Sequence, residues 1–246
     1  MTLAPNLEPT VAARPPAPPV LTGRGLHRSF GDTVALAGVD LDIRSGEAVA
    51  AMGPSGSGKS TLLHCLAGIE SPSAGEVWLG AQRIDHLGET ARTAIRRRRF
   101  GFVFQSGHLL PELPAEENVA LPLLLEGHAR RRAVAEARRW FEPLGLAGLE
   151  RRRPGELSGG QAQRVTIARA LVTQPAVVFA DEPTAALDRS TGHEVIGLLV
   201  SAARTSGAGV LIVTHDPEVA AACDRTILLS DGAEVRGGVH AGGNGA

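Results

Sequence analysis

The sequence has no tyrosine, only two cysteines, and a single lysine among its 25 basic residues. Cys65 and Cys223 lie far apart and sit among apolar residues. They show neither metal-ligand spacing nor a disulfide framework, so they read as inert core thiols in a reducing compartment. Long apolar runs are also missing. Stretches such as Val119–Leu125 are short and followed by charge, well below the roughly 18 residues that a membrane-spanning helix needs. Nor is there an excess of either charge: the net charge is −1, which removes any global pull toward nucleic acid or anionic lipid. No internal repeat is visible.

What is present suits one large domain or two small ones, since 246 residues can bury a sizeable core. The first 22 residues are rich in proline and alanine and lack an apolar signal-peptide core, so they read as a disordered leader. The last residues, 238–246, read as a flexible glycine-rich tail. The protein is expected in the cytoplasm, touching a membrane only through a partner.

Between these ends, order is expected from about Gly23 to Gly237. Strand-like stretches occur at Thr33–Ile43, Gly46–Gly53, Gly75–Gly80, Phe100–Gln105, Ala176–Ala180, Gly209–Val213 and Thr226–Ser230. Helical patterns occupy Lys59–Leu66, Gly159–Val172 and Arg189–Arg204. From about 106 to 157 the character changes, with a helical segment at His128–Trp140. The alternation predicts a mostly parallel α/β sheet with an inserted α-helical part. The arginine clusters at Arg96–Arg99, Arg130–Arg132 and Arg151–Arg153 read as solvated faces, with contact to a partner or to lipid headgroups as the alternative.

The lone lysine explains its own placement. Gly53-Pro54-Ser55-Gly56-Ser57-Gly58-Lys59-Ser60 matches G-x-x-x-x-G-K-[ST] in full, between a strand and a helix. The glycines let backbone N–H groups curl around phosphate oxygens, and the helix start adds its positive dipole end. A compact ammonium on a thin stem fits between β- and γ-phosphates, where a broad planar guanidinium would not. The Ser60 hydroxyl can serve Mg²⁺, and Thr61 can bond a nearby phosphate. The apolar strand Ala176–Ala180 ends in Asp181-Glu182. That places Asp181 for the metal and Glu182 to polarise a water against the γ-phosphate.

Leu157–Leu171, "LSGGQAQRVTIARAL", opens a second helix with Ser158, Gly159 and Gly160, a second anion-binding device. Here the chain resembles the ATP-binding-cassette (ABC) ATPases, whose signature motif is LSGGQ. The likeness implies a P-loop NTPase with an additional N-terminal antiparallel β part. It also implies that two cassettes pair head to tail, so that Ser158, Gly159, Gly160 and Gln161 close over ATP held by the second chain. By the same resemblance, Phe30 stands where an aromatic stacks on adenine, with core packing as the alternative for that ring. Gln105 contacts Mg²⁺ and links the site to a membrane permease, His215 bonds the γ-phosphate, and Asp188 belongs to the loop crossing the dimer interface. Ala185-Ala186 departs from the small polar or glycine residue usual there.

Phe100–Gly127 looks most like the ATPases of lipoprotein-releasing and macrolide-exporting transporters and of a related cell-division complex. The expected function is therefore an ATPase subunit that, with ATP and Mg²⁺ and as a homodimer, drives an integral-membrane permease at the inner face of the membrane. Amino-acid importers share part of the pattern and are the alternative. Soluble cassettes of DNA repair or translation and small-molecule kinases fit less well. The first carry coiled coils, cysteine pairs or fused cassettes, and the second need neither Leu157–Gln161 nor His215.

Overall fold

The computed structural model describes residues 18–235. The chain enters on β1 (Pro19–Phe30) and returns on β2 (Thr33–Arg44) in an antiparallel hairpin turned at Gly31, which takes φ 56°. β3 (Ala48–Met52) leads through the glycine-rich loop into α1 (Lys59–Leu66). β4 (Ala74–Leu79), β5 (Gln82–Arg83), α2 (Glu89–Arg99) and β6 (Phe100–Phe104) follow. The insertion carries α3 (Ala115–Leu125) and α4 (Arg130–Arg138), and a 3₁₀ turn at Pro154–Glu156 leads into α5 (Gly159–Leu171). The chain closes with β7 (Val177–Asp181), α6 (Arg189–Ser206), β8 (Gly209–Thr214), α7 (Pro217–Ala221), β9 (Arg225–Ser230) and β10 (Ala233–Glu234).

Two sheets result. One is antiparallel, in the order β2-β1-β4-β5; the other has the order β10-β9-β3-β8-β7-β6 and is parallel except for β10. The central strands β3, β7 and β8 are buried on both faces, as parallel strands covered by other layers must be. Their side chains alternate between two cores with the strand period of two. Ala48, Ala50, Val178, Ala180, Val210 and Ile212 face a core shared with α3 to α7. Val49, Ala51, Val177, Phe179, Leu211 and Val213 face a core shared with α1 and the antiparallel sheet. The parallel sheet is thus a middle layer, and its strand ends meet the glycine-rich loop.

The mostly parallel α/β architecture with a helical insertion agrees with the sequence reading, with local corrections. Order begins by Pro19, not near Gly23, and β1 is a strand absent from the sequence reading, which gives its first residues to the leader. β9 is not the last strand, since β10 follows. Residues 1–17 of the leader and the tail 238–246 lie outside the described residues. The arginines of 96–99 belong to α2 and are not simply solvated. Arg96 donates to Gly68 O at 2.5 Å and pairs with Glu89, while Arg98 and Arg99 are exposed. Both cysteines are buried, and burial pushes each thiol up to about 12. Among the described residues no helix is long and apolar enough to cross a membrane.

Candidate nucleotide site

The glycine-rich loop is shaped by positions where no side chain fits. Gly53 and Gly58 take φ 154° and 97°. A Cβ on Gly53 would collide with Leu229 O on β9, and one on Gly58 with Ala35 O on β2. Pro54, Ser55 and Gly56 arch outward and are exposed, whereas Ser57 is buried and its carbonyl accepts from Gly232 N at 3.2 Å. Gly58 is the N-cap of α1, so the free N–H groups of that helix open onto the loop. Lys59 is 8% exposed. Its Nζ donates to Gly53 O and Pro54 O, both at 2.8 Å, which spans the loop and leaves one N–H donor unused by these bonds.

Ser60 Oγ donates to Asp181 Oδ1 at 3.3 Å. Burial pushes the Asp181 carboxyl above its ordinary value, and the Ser60 bond only partly offsets this. Next in the chain, Glu182 leaves β7 with φ 46°, a conformation rare for a side-chain-bearing residue and characteristic of functional sites. Its N–H donates to Val213 O at 2.9 Å, and Thr214 Oγ1 reaches its Oε2 at 3.5 Å. His215 Nδ1 lies 2.8 Å from Glu182 Oε1. Glu182, Asp188, Thr214 and His215 line one cleft of about 450 Å³.

β6 and β7 pair with Phe104 opposite Asp181, so Gln105 follows at the same sheet edge and is exposed. Asp188 caps α6 by accepting from Thr191 N at 3.0 Å, and that N–H is the leading cause of its lowered pKa. Ser158 caps α5 in a reciprocal box: its Oγ accepts from Gln161 N at 3.3 Å, and Gln161 Oε1 accepts from Ser158 N at 2.9 Å. Gly159 and Gly160 abut Leu187 and Thr191, and a Cβ on Gly160 would lie 2.5 Å from Thr191 Cγ2. Among the described residues no hydrogen bond joins 158–161 to 53–61.

A family model described as ABC transporter matches residues 36–185. The chain belongs to the ABC transporter family. This ABC cassette is 48% identical over 201 residues to the lipoprotein-releasing system ATP-binding protein LolD of Chromohalobacter salexigens, covering 82% of this chain and 85% of that protein. It is 48% identical over 218 residues to LolD 2 of Caulobacter vibrioides, covering 87% and 96%. Among solved structures it resembles the dimeric post-hydrolysis state of the ATP-binding cassette MJ0796 bound to ADP and Pi. The TM-score is 0.77 and the identity 38%, over 88% of this chain and 97% of that one. CbiO1 of Clostridium perfringens, part of the ABC transporter complex cbiONQ, matches with TM-score 0.81 and 29% identity, covering 89% and 87%. The P-loop NTPase fold and the ATPase class expected from the motifs are borne out.

The cassette gathers Lys59, Ser60, Asp181, Glu182 and His215 at one end of the parallel sheet, and Gln105 follows Phe104, the strand partner of Asp181. Phe30 ends β1 opposite Thr33, on the hairpin whose β2 strand touches Gly58. It is 46% exposed, so it is not a core residue, and the Arg28 guanidinium lies 4.6 Å from its ring centroid. Sequence reasoning missed Thr214, buried and bonded to Glu182, and missed the direct bond between Glu182 and His215. Thr214 ends β8 just before His215, but its role depends on the turn of Glu182, which no spacing reveals.

Proposed function

We propose that this cassette hydrolyses MgATP at two composite sites formed by two copies of the chain, and that it drives an integral-membrane permease from the cytoplasmic face. The observation that carries this reading is the division of the site within one chain. Lys59, Asp181, Glu182 and His215 meet at one sheet edge, while the capped start of α5 at Ser158 presents its donors elsewhere.

The metal suits the donors present. Ser60 and Asp181 supply one hydroxyl and one carboxylate, and burial makes that carboxylate's charge costly without a cation. Mg²⁺ characteristically takes one or two carboxylates, with waters and phosphates completing its shell. Bound there with Gln105, it would neutralise charge on the β- and γ-oxygens. The chain's own residues do the rest. Lys59 and the loop N–H groups hold the phosphates. Glu182 accepts a proton from the attacking water, giving ADP and phosphate. His215 orients the γ-phosphate, Phe30 stacks on the base, and Ser158 to Gln161 with Asp188 close over the partner's nucleotide.

The relatives named for lipoprotein release favour that class of cargo over amino-acid import. Sedimentation of the purified chain tests the composite site. Dimer and phosphate release should rise together with protein concentration in MgATP. Turnover that stays proportional to a strictly monomeric species would refute it.

A further inference from the structure

Gln105 stands on a stretch without regular secondary structure between β6 and α3, and its neighbour His108 takes φ 47°. Something must fix that stretch if Gln105 is to reach a metal. The fixing comes from one face of α5. Gln163, 5% exposed, donates through Nε2 to Phe104 O at 3.1 Å. Arg169 donates through Nη1 to His108 O at 2.8 Å and through Nη2 to Gly107 O at 2.5 Å. Between them on the same face, Thr166 lies so close that a Cβ on Gly107 would be 3.1 Å from its Cγ2.

Arg169 differs from the other partly buried arginine of α5. Arg164 on the same helix pairs with Glu194 at 2.8 Å. Among the described residues Arg169 has no carboxylate partner, and burial alone pulls its pKa down. A guanidinium desolvated without a counter-charge costs stability. Here its fork is spent on two consecutive main-chain carbonyls, a geometry that fixes backbone position in a way a point charge would not.

We propose that Gln163 and Arg169 are positioning residues that clamp the backbone of 104–108 to α5, so that Gln105 stays aligned with Ser60 and Asp181. The inference rests on the metal role proposed for Gln105. It adds that the helix opened by Ser158 also holds the metal-side loop, so one rod carries both the signature start and the stretch that bears Gln105.

A double-mutant cycle on the purified full-length chain tests this, with Gln105→Ala, Arg169→Ala and the pair. Each single change should lower kcat about tenfold and raise the Mg²⁺ concentration needed for half-maximal rate, as expected for loss of a charge-assisted bond. ATP binding should stay within about twofold of the parent, since the loop at 53–61 is untouched. The double variant should be no slower than Gln105→Ala alone, and Arg169→Lys should recover part of the rate. A multiplicative loss in the double variant would make Arg169 a separate contributor and overturn the proposal. So would a parental kcat for Arg169→Ala. If Arg169→Ala does not fold, Gln163→Met runs the same cycle through the Phe104 bond. A Gln105→Ala protein with the parental rate and Mg²⁺ response would instead remove the metal role of Gln105, and this inference with it.

Discussion

His215 Nδ1 and Glu182 Oε1 are hydrogen-bonded at 2.8 Å, so the two residues assigned to water activation and γ-phosphate contact hold each other. A carboxylate only accepts, which puts the proton on Nδ1. A neutral ring held this way offers the phosphate only the lone pair of Nε2. To donate to the γ-phosphate, the ring must take a second proton or release Glu182. The proposed phosphate contact and the proposed base therefore share one side-chain contact.

Replacing Glu182 by Gln keeps the shape and removes the proposed base. Glu182→Gln should bind ATP, form the dimer and stall, with phosphate release down by at least about a hundredfold. Sedimentation in MgATP should show persistent dimer. Ordinary turnover by this variant would take Glu182 out of the base role.

Lys59→Arg keeps the charge and loses the fit. The guanidinium cannot replace an ammonium threaded between Gly53 O and Pro54 O. Turnover should fall by about a hundredfold or more, with an unchanged circular dichroism spectrum. A parental rate would show that the loop tolerates a planar cation.

Asp181→Asn separates stability from function. The raised pKa of Asp181 means that the fold favours its neutral form. Its contribution is fully present below the unfolded pKa and is lost as pH rises through the folded pKa, so at pH 7 the charged side chain is a cost. The amide should raise Tm by roughly 1–2 °C, solvent screening keeping the gain small, while MgATP turnover is lost. Calorimetry of the nucleotide-free protein reads the first effect; a lower Tm would contradict it.

Asp85 should behave oppositely. Burial pushes its carboxyl up, but the Arg83 hydrogen bond and the Val77 N–H at 2.8 Å bring it below its ordinary value. Its stabilisation is present above the unfolded pKa and fades as pH falls through the lower folded value. Asp85→Asn should cost about 1.5 kcal/mol at pH 7, with the gap to the parent closing below about pH 4. Denaturant titrations at the two pH values measure both.

Much of the nucleotide site was legible because its chemistry is local in sequence. The loop at Gly53–Ser60, the acids at strand end 181–182 and the histidine after Val213-Thr214 each sit at a boundary between elements that apolar pattern reveals. α2 was not legible. It carries four consecutive arginines and no buried residue, so it leaves no apolar stripe to read. β1 was missed because a proline-rich approach masks a strand that accepts Pro19 at its first position. β5 and β10, two residues each, are too short to alternate. The clamp of Arg169 on the 107–108 carbonyls depends on tertiary approach across more than sixty positions, and no spacing announces it.

The scarcity of lysine gives the molecule a built-in reporter. A protease that cuts only after lysine has a single target, the Lys59–Ser60 bond, and the folded chain holds that residue at 8% exposure. Scission into two fragments would report every opening, local or global, that bares Lys59, and its slowing by nucleotide would measure occupancy without any label.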